Sequence, residues 1–248
     1  PLFPWLMAEF GLSFVEIGAT MTVFFVVSAV GQAMAGFGVD RFGALRILLA
    51  GISCFVLAGL GLAMATSSSA LYAVAALAGL GNTVFHPADF TVLNRHVSPP
   101  RLGHAFSVHG LSGNLGWAAA PLFLTGLATL VGWRVAAAST IFVAIPAMLL
   151  LWHNRALLDT GHHAHAAKQS GHGTFDFMRV GAVWLCFAFF FLITAAFGAI
   201  QNFATPILQN LYQLPLGLAA TALSTYLLAG AGGILVGGFV AQKQANDR

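Results

Sequence analysis

Apolar residues fill long, nearly unbroken runs along this chain, and polar residues collect in short gaps between them. Seven runs, near 17–39, 45–65, 70–94, 102–130, 133–152, 180–208 and 215–241, reach the length a bilayer-spanning helix needs, about 20 mostly apolar residues. They do not alternate with period two, and they exceed the roughly 10 residues of a lipid-facing barrel strand. Turn-forming residues mark the breaks: Asp40-Arg41-Phe42-Gly43, Ser67-Ser68-Ser69, Ser98-Pro99-Pro100, Gly132 and Leu214-Pro215. The pattern predicts an all-α polytopic membrane protein with seven full transmembrane helices. Residues 1–10 read as the outer end of one more helix. A first residue that is not Met, and an end just after an apolar run, read as those of a fragment.

Charge orients the spans. Alternate gaps hold Arg41 and Arg46, then Arg95 and Arg101, then Arg155, Lys168 and Arg179, then Lys243 and Arg248, while the opposite gaps hold only Arg134. Basic loops stay on the cytoplasmic side, which puts Glu9 and Glu16 outside. The long polar stretch 153–179, with His162, His163, His165 and His172, reads as a cytoplasmic His-rich linker. Without cysteine it reads as a solvated segment and not a metal site. It divides the chain into an N-terminal transmembrane half, 1–152, and the start of a second half, 180–248. A shift of 202 residues supports the division: Gly31 meets Gly233, and Gly36-Phe37 meets Gly238-Phe239.

Composition narrows the function classes. Charged residues make up 7% of the chain and hydrophobic residues 58%, against about 25% charged in soluble domains. An ordinary cytosolic enzyme and a nucleic-acid-binding module are excluded. Cys54 and Cys186 lie inside apolar runs and read as packing residues. Neither a Gly-Lys-Ser/Thr phosphate loop nor a nucleophile–base arrangement occurs, so no catalytic residue, cofactor or metal is assigned.

The loop Gly36-Phe37-Gly38-Val39-Asp40-Arg41-Phe42-Gly43-Ala44-Leu45-Arg46 joins the first two full spans. It resembles the signature loop of the major facilitator superfamily, G-x-x-x-D-R-x-G followed by basic residues. Ala44 and Leu45 depart from the pattern where further basic residues are common. The resemblance implies two pseudo-symmetric six-helix halves, here truncated to about seven full helices plus the end of the first. It also implies a gating role for Gly36, Asp40, Arg41, Gly43 and Arg46. Gly36 is expected to allow close helix approach and Gly43 a tight turn. The corresponding second loop carries Gln242-Lys243 and has lost the acidic residue. The runs Gly79–Pro87, Arg101–Ala105 and Gly113–Gly116 resemble the fosmidomycin-resistance-type branch of drug exporters.

Polar side chains at membrane depth are functional candidates because lipid makes them costly. Asn82, His86 and Asp89 fall at i, i+4 and i+7, on one face of a helix. His86 and His109 lie at matched depths, roughly 12–14 Å from the inner loop, so they approach each other or flank one cavity. An unperturbed imidazole titrates near pH 6.5, which suits proton coupling at His86 and Asp89. Two structural roles compete with that reading: His86 bonding a backbone carbonyl at the Pro87 bend, and Asp89 pairing with Arg95 or Arg101. Asn114 sits deeper and either faces the pathway or bonds a neighbouring helix. Gly110, Gly113 and Gly116 are expected to form a close-packing ridge. Gln201 belongs to a polar stripe with Thr194 and Thr205, Asn202 lies beside it, and Thr221, Ser224 and Thr225 form another.

These readings converge on a secondary transporter working by alternating access, most simply a proton-coupled exporter of a drug or metabolite. A metabolite uniporter or symporter, or a non-transporting receptor on the same fold, is the alternative. The expected partners are a small-molecule solute, protons and the lipid bilayer, without nucleic acid. The expected state is a monomer in a bacterial inner membrane.

Overall fold

A computed structural model describes residues 1–158 and 179–246, and His162, His163, His165 and His172 of the linker lie outside them. The described residues form helices joined by short turns: α1 (Phe3–Phe10), α2 (Phe14–Phe42), α3 (Ala44–Ala63), α4 (Ser68–Asn82), α5 (Phe85–His96), α6 (Leu102–Val131), α7 (Trp133–Ala138), α8 (Ile141–His153), α9 (Arg155–Leu158), α10 (Gly181–Tyr212) and α11 (Leu216–Asn246). Taking α4 with α5 and α7 with α8 as single crossings, seven segments are long and apolar enough to span a membrane. They match the seven predicted runs. The chain is a multi-pass integral membrane protein.

Local chemistry ends and starts the helices. Ser13 and Glu16 form a reciprocal capping box at the start of α2, which satisfies two donors the helix leaves open. Ser67 caps α4, its hydroxyl accepting from the Ala70 N–H. Gly43, at φ +81°, and Gly132, at φ +93°, take the left-handed backbone that closes α2 and α6, a region glycine enters without a Cβ penalty. The tight turn expected at Gly43 is therefore formed.

Close packing falls on particular glycines. A methyl at Gly79 of α4 would sit 2.5 Å from the Phe24 carbonyl oxygen of α2, and one at Gly81 would sit 2.8 Å from the Gly51 oxygen of α3. Gly31 is filled by the Thr83 side chain and Gly59 by Thr140. These contacts draw α2, α3 and α4 together, as small residues do where lipid removes any hydrophobic force between helices. The expected ridge does not pack this way: a methyl at Gly110, Gly113 or Gly116 would meet nothing within 4 Å. Among the described residues the same holds at Gly36. Glycine spacing shows where helices are able to approach, and only the arrangement of neighbours decides where they do.

The helix ends around α1 hold the largest buried cluster among the described residues, with Leu6, Ile17, Ala65, Leu71, Ala128 and Trp133. Above it, Glu9 at the end of α1 accepts from the Trp133 indole N–H at 2.5 Å and pairs with Arg134 at 2.6 Å. Arg134 also donates to the Ala65 carbonyl at 3.0 Å and lies 4.3 Å from the Trp133 ring. Three helix ends, of α1, α3 and α7, meet in this clamp. The Glu9–Arg134 pair is part-exposed, so water screens it and its charge alone adds little. Arg134→Ala removes the ion pair, the carbonyl bond and the ring contact together. It is expected to lower the melting temperature clearly more than Glu9→Gln does, as read by thermal unfolding in detergent. Equal losses would show that the carbonyl and ring contacts contribute nothing.

Candidate functional site

The site is built around a loosened turn of helix. Pro87 has no N–H to donate to the carbonyl four residues back, which is that of Thr83. Both the Thr83 N–H and its hydroxyl turn to the Leu80 carbonyl, at 3.3 and 2.7 Å. α4 ends at Asn82 and α5 begins at Phe85. Thr83 and Val84 keep right-handed helical backbone between the two segments, so the helix is loosened there and not interrupted, and across the loosening Asn82 and Asp89 engage different neighbours.

Asn82 turns toward α2. Its amide donates to the Ser28 hydroxyl at 2.8 Å, and Gln32 donates to the same oxygen at 3.2 Å. Ser28 is buried. The sequence reading passed over Ser28 and Gln32, although two polar residues four apart in an apolar span are a legible signal.

Asp89 turns toward α6. Its carboxylate lies 3.7 Å from Nε2 of His109, with both side chains roughly one-third exposed or less. Asp89 thus pairs with His109. The His86 ring lies 5.6 Å from the Phe90 ring, and Phe90 lies 6.2 Å from the His109 ring. The two histidines therefore flank one aromatic side chain, which also meets Phe106 edge-on at 5.1 Å. The inner ends of α2, α3 and α5 support this group through Val39, Leu48 and Ala88.

Other candidates fall elsewhere. The Asn114 amide donates to the Gly110 carbonyl of its own helix at 2.8 Å. Asn202 does the same to Gly198. Gln201 is half-buried and Thr194 exposed, while Thr205 is buried with its hydroxyl unpartnered among the described residues. Asp40, Arg41 and Arg46 are exposed at the α2–α3 turn, and Arg41 lies 5.3 Å from the Phe42 ring. Among the described residues, Asp40 forms no ion pair.

Contacts between residues before and after the linker concentrate on α6 and α11. The buried Ser224 hydroxyl donates to the Ala118 carbonyl at 2.8 Å, amid Leu223, Leu227 and Phe197. Nearer the outer side, Phe203 of α10 packs 6.2 Å from the Phe3 ring and against Gly18. An open recess of about 890 Å³ lies between α1, α6 and α11, lined by Trp5, Leu122, Thr125 and Thr221 among others. Thr125 and His109 are roughly 24 Å apart along α6 at 1.5 Å per residue, so this recess does not hold the ionisable pair.

Comparison with known proteins agrees across the whole length. The Major Facilitator Superfamily model matches residues 1–248. The chain is 30% identical to the fosmidomycin resistance protein of Escherichia coli (strain K12), over 98% of this chain and 60% of that protein. It is 27% identical to the uncharacterized MFS-type transporter YfnC of Bacillus subtilis (strain 168), again over 98% of this chain and 60% of the relative. A probable 4-methylmuconolactone transporter of Cupriavidus pinatubonensis is 33% identical over 67% of this chain and 39% of its own length. The chain thus spans about 60% of the length of the first two relatives.

Proposed function

The chain belongs to the Major Facilitator Superfamily, and on that premise we propose that the full transporter exports a small drug or metabolite in exchange for protons. The observation that carries this reading is the Asp89–His109 pair, 3.7 Å apart within the spans and next to His86. Ionisable groups at this depth are costly in lipid. With the imidazole protonated, charge holds it to the carboxylate, and adding a proton to Asp89 removes that attraction. Proton occupancy then sets the contact between α5 and α6.

Movement follows the alternating-access scheme, with residues 1–152 and 180–248 as parts of two halves joined by the linker. Phe203 against Phe3 and Gly18, and Ser224 on Ala118, are contacts between these proposed halves. Those of Phe203 lie toward the outer side and support an outward-closed arrangement. The exposed Asp40-Arg41 turn stands at the inner end, where it acts as the inner lock. Gln201 and Asn202 line the solute path from the second half. The transporter works as a monomer in a bacterial inner membrane.

The name of the fosmidomycin resistance protein favours a drug as the solute. The name of the 4-methylmuconolactone transporter favours a second reading, proton-coupled uptake of a metabolite. One experiment separates them. The full-length protein is placed in inside-out vesicles with an acidified interior, and drugs and metabolites, fosmidomycin included, are added outside. Export predicts solute-triggered proton efflux. Proton and solute movement in the same direction would establish the second reading. No proton response to any solute would overturn both.

A further inference from the structure

The loosened turn between α4 and α5 is gripped from two sides. The Thr83 side chain fills the notch left by Gly31 of α2, and Val84 fills the notch left by Gly51 of α3. Next to this turn, the Ser28 hydroxyl accepts from both Asn82 and Gln32. Thr83 and Ser28 are both buried, at 3% exposure each. The end of α4 is therefore fixed to α2 and α3, and α5 runs on from that joint with Ala88 packed on Val39, Ala44 and Leu48 and with Asp89 toward α6.

We propose that this joint positions the ionisable pair: Ser28, Gly31 and Thr83 set the angle at which α5 leaves α4, and so the reach of Asp89 to His109. The inference rests on the proton-coupling reading for its functional meaning, and on the joint alone for its geometry. The lever is short. Asp89 lies six residues beyond Thr83, roughly 9 Å along the helix at 1.5 Å per residue. A tilt of about 10° at the joint moves the carboxylate by about 1.5 Å at that rise. Against a separation of 3.7 Å, that displacement either closes the pair to hydrogen-bond distance or opens it beyond an ion pair. The titratable groups acting on Asp89 are His109 on α6 and His86 on its own helix, with none from α2 or α3. Moving α5 therefore changes the Asp89–His109 separation and leaves His86 at a fixed spacing.

The test follows the Asp89 carboxylate by infrared titration in the full-length protein, which needs no transport. Ser28→Ala removes the shared acceptor, and Gly31→Ala pushes a methyl into the Thr83 side chain. Thr83→Ser empties the notch and keeps the hydroxyl bond to Leu80. Gly116→Ala is the control, since its methyl meets nothing within 4 Å. The Asp89→Asn protein identifies the band. A change of about 1.5 Å in the pair shifts the midpoint by about one pH unit, at an effective dielectric near 20. A shift of that size in Ser28→Ala and Thr83→Ser, with the control at the wild-type value, supports the positioning role. Midpoints equal to wild type in all joint variants that fold overturn it. Solute-triggered proton efflux is then measured on the same proteins. Shifted midpoints without any coupled efflux in wild type would keep the positioning role and remove the proton-coupling reading. Coupled efflux with unshifted midpoints would do the reverse.

Discussion

Asp89→Asn in the full-length transporter is expected to remove most of the solute-triggered proton efflux. Asparagine keeps the size of the side chain and loses its charge and its proton. His109, 3.7 Å away, then faces a neutral amide whatever the pH, and the α5–α6 contact no longer depends on proton occupancy. Solute binding has no reason to fail with it. Fosmidomycin, or whichever solute gives efflux in wild type, is expected to bind the variant with similar affinity while moving without protons. Asp89→Glu keeps a titratable group and is expected to retain part of the coupling. An asparagine variant with the full wild-type proton stoichiometry would remove Asp89 from the coupling path and leave its pair with His109 as a packing contact.

Gly79→Ala is expected to cost the largest share of stability among single methyl additions in the helices. The new carbon would lie 2.5 Å from the Phe24 carbonyl oxygen and 3.2 Å from the Phe24 backbone carbons. Backbone atoms of a packed helix have no rotamer to change, so α2 and α4 must separate. Overpacking of this kind costs about 1–3 kcal/mol. At roughly 2–4 °C per kcal/mol for chains of 150–250 residues, the melting temperature in detergent is expected to fall by several degrees. Gly113→Ala, the matching change on α6, adds a methyl that meets nothing within 4 Å. There the substitution only trades glycine for a better helix former, worth up to about 1 kcal/mol in favour of alanine. The two variants are thus expected to move the melting temperature in opposite directions. A loss at Gly113 as large as at Gly79 would mean that α6 packs against a partner along that ridge.

The pair of glycine variants shows how much of the site was legible. Gly113 and Gly79 look alike in the sequence, each a small residue in an apolar run with others three or four positions away. The same limit applied to Asp89. Its place in a span marked it as a candidate, and Arg95 or Arg101 was its expected partner, while His109, matched in depth to His86, is the residue it meets. Pro87 announced a bend. That the helix loosens at Thr83 and Val84, which fill the notches at Gly31 and Gly51, required three helices at once. Glu9 and the Trp133-Arg134 pair were each visible on the outer side, and 124 residues of chain hid that they bond each other.

By itself the sequence determined the number and placement of the spans, because hydrophobic length is a local quantity that a bilayer reads directly. It also determined the family, through a loop whose residues are adjacent in the chain. Only the tertiary structure decided which glycines pack, which polar groups pair and where α4 gives way to α5. Those depend on the rotation of each helix about its axis and on the distance to its neighbours. In lipid, where one apolar face is solvated as well as another, hydropathy along the chain specifies neither.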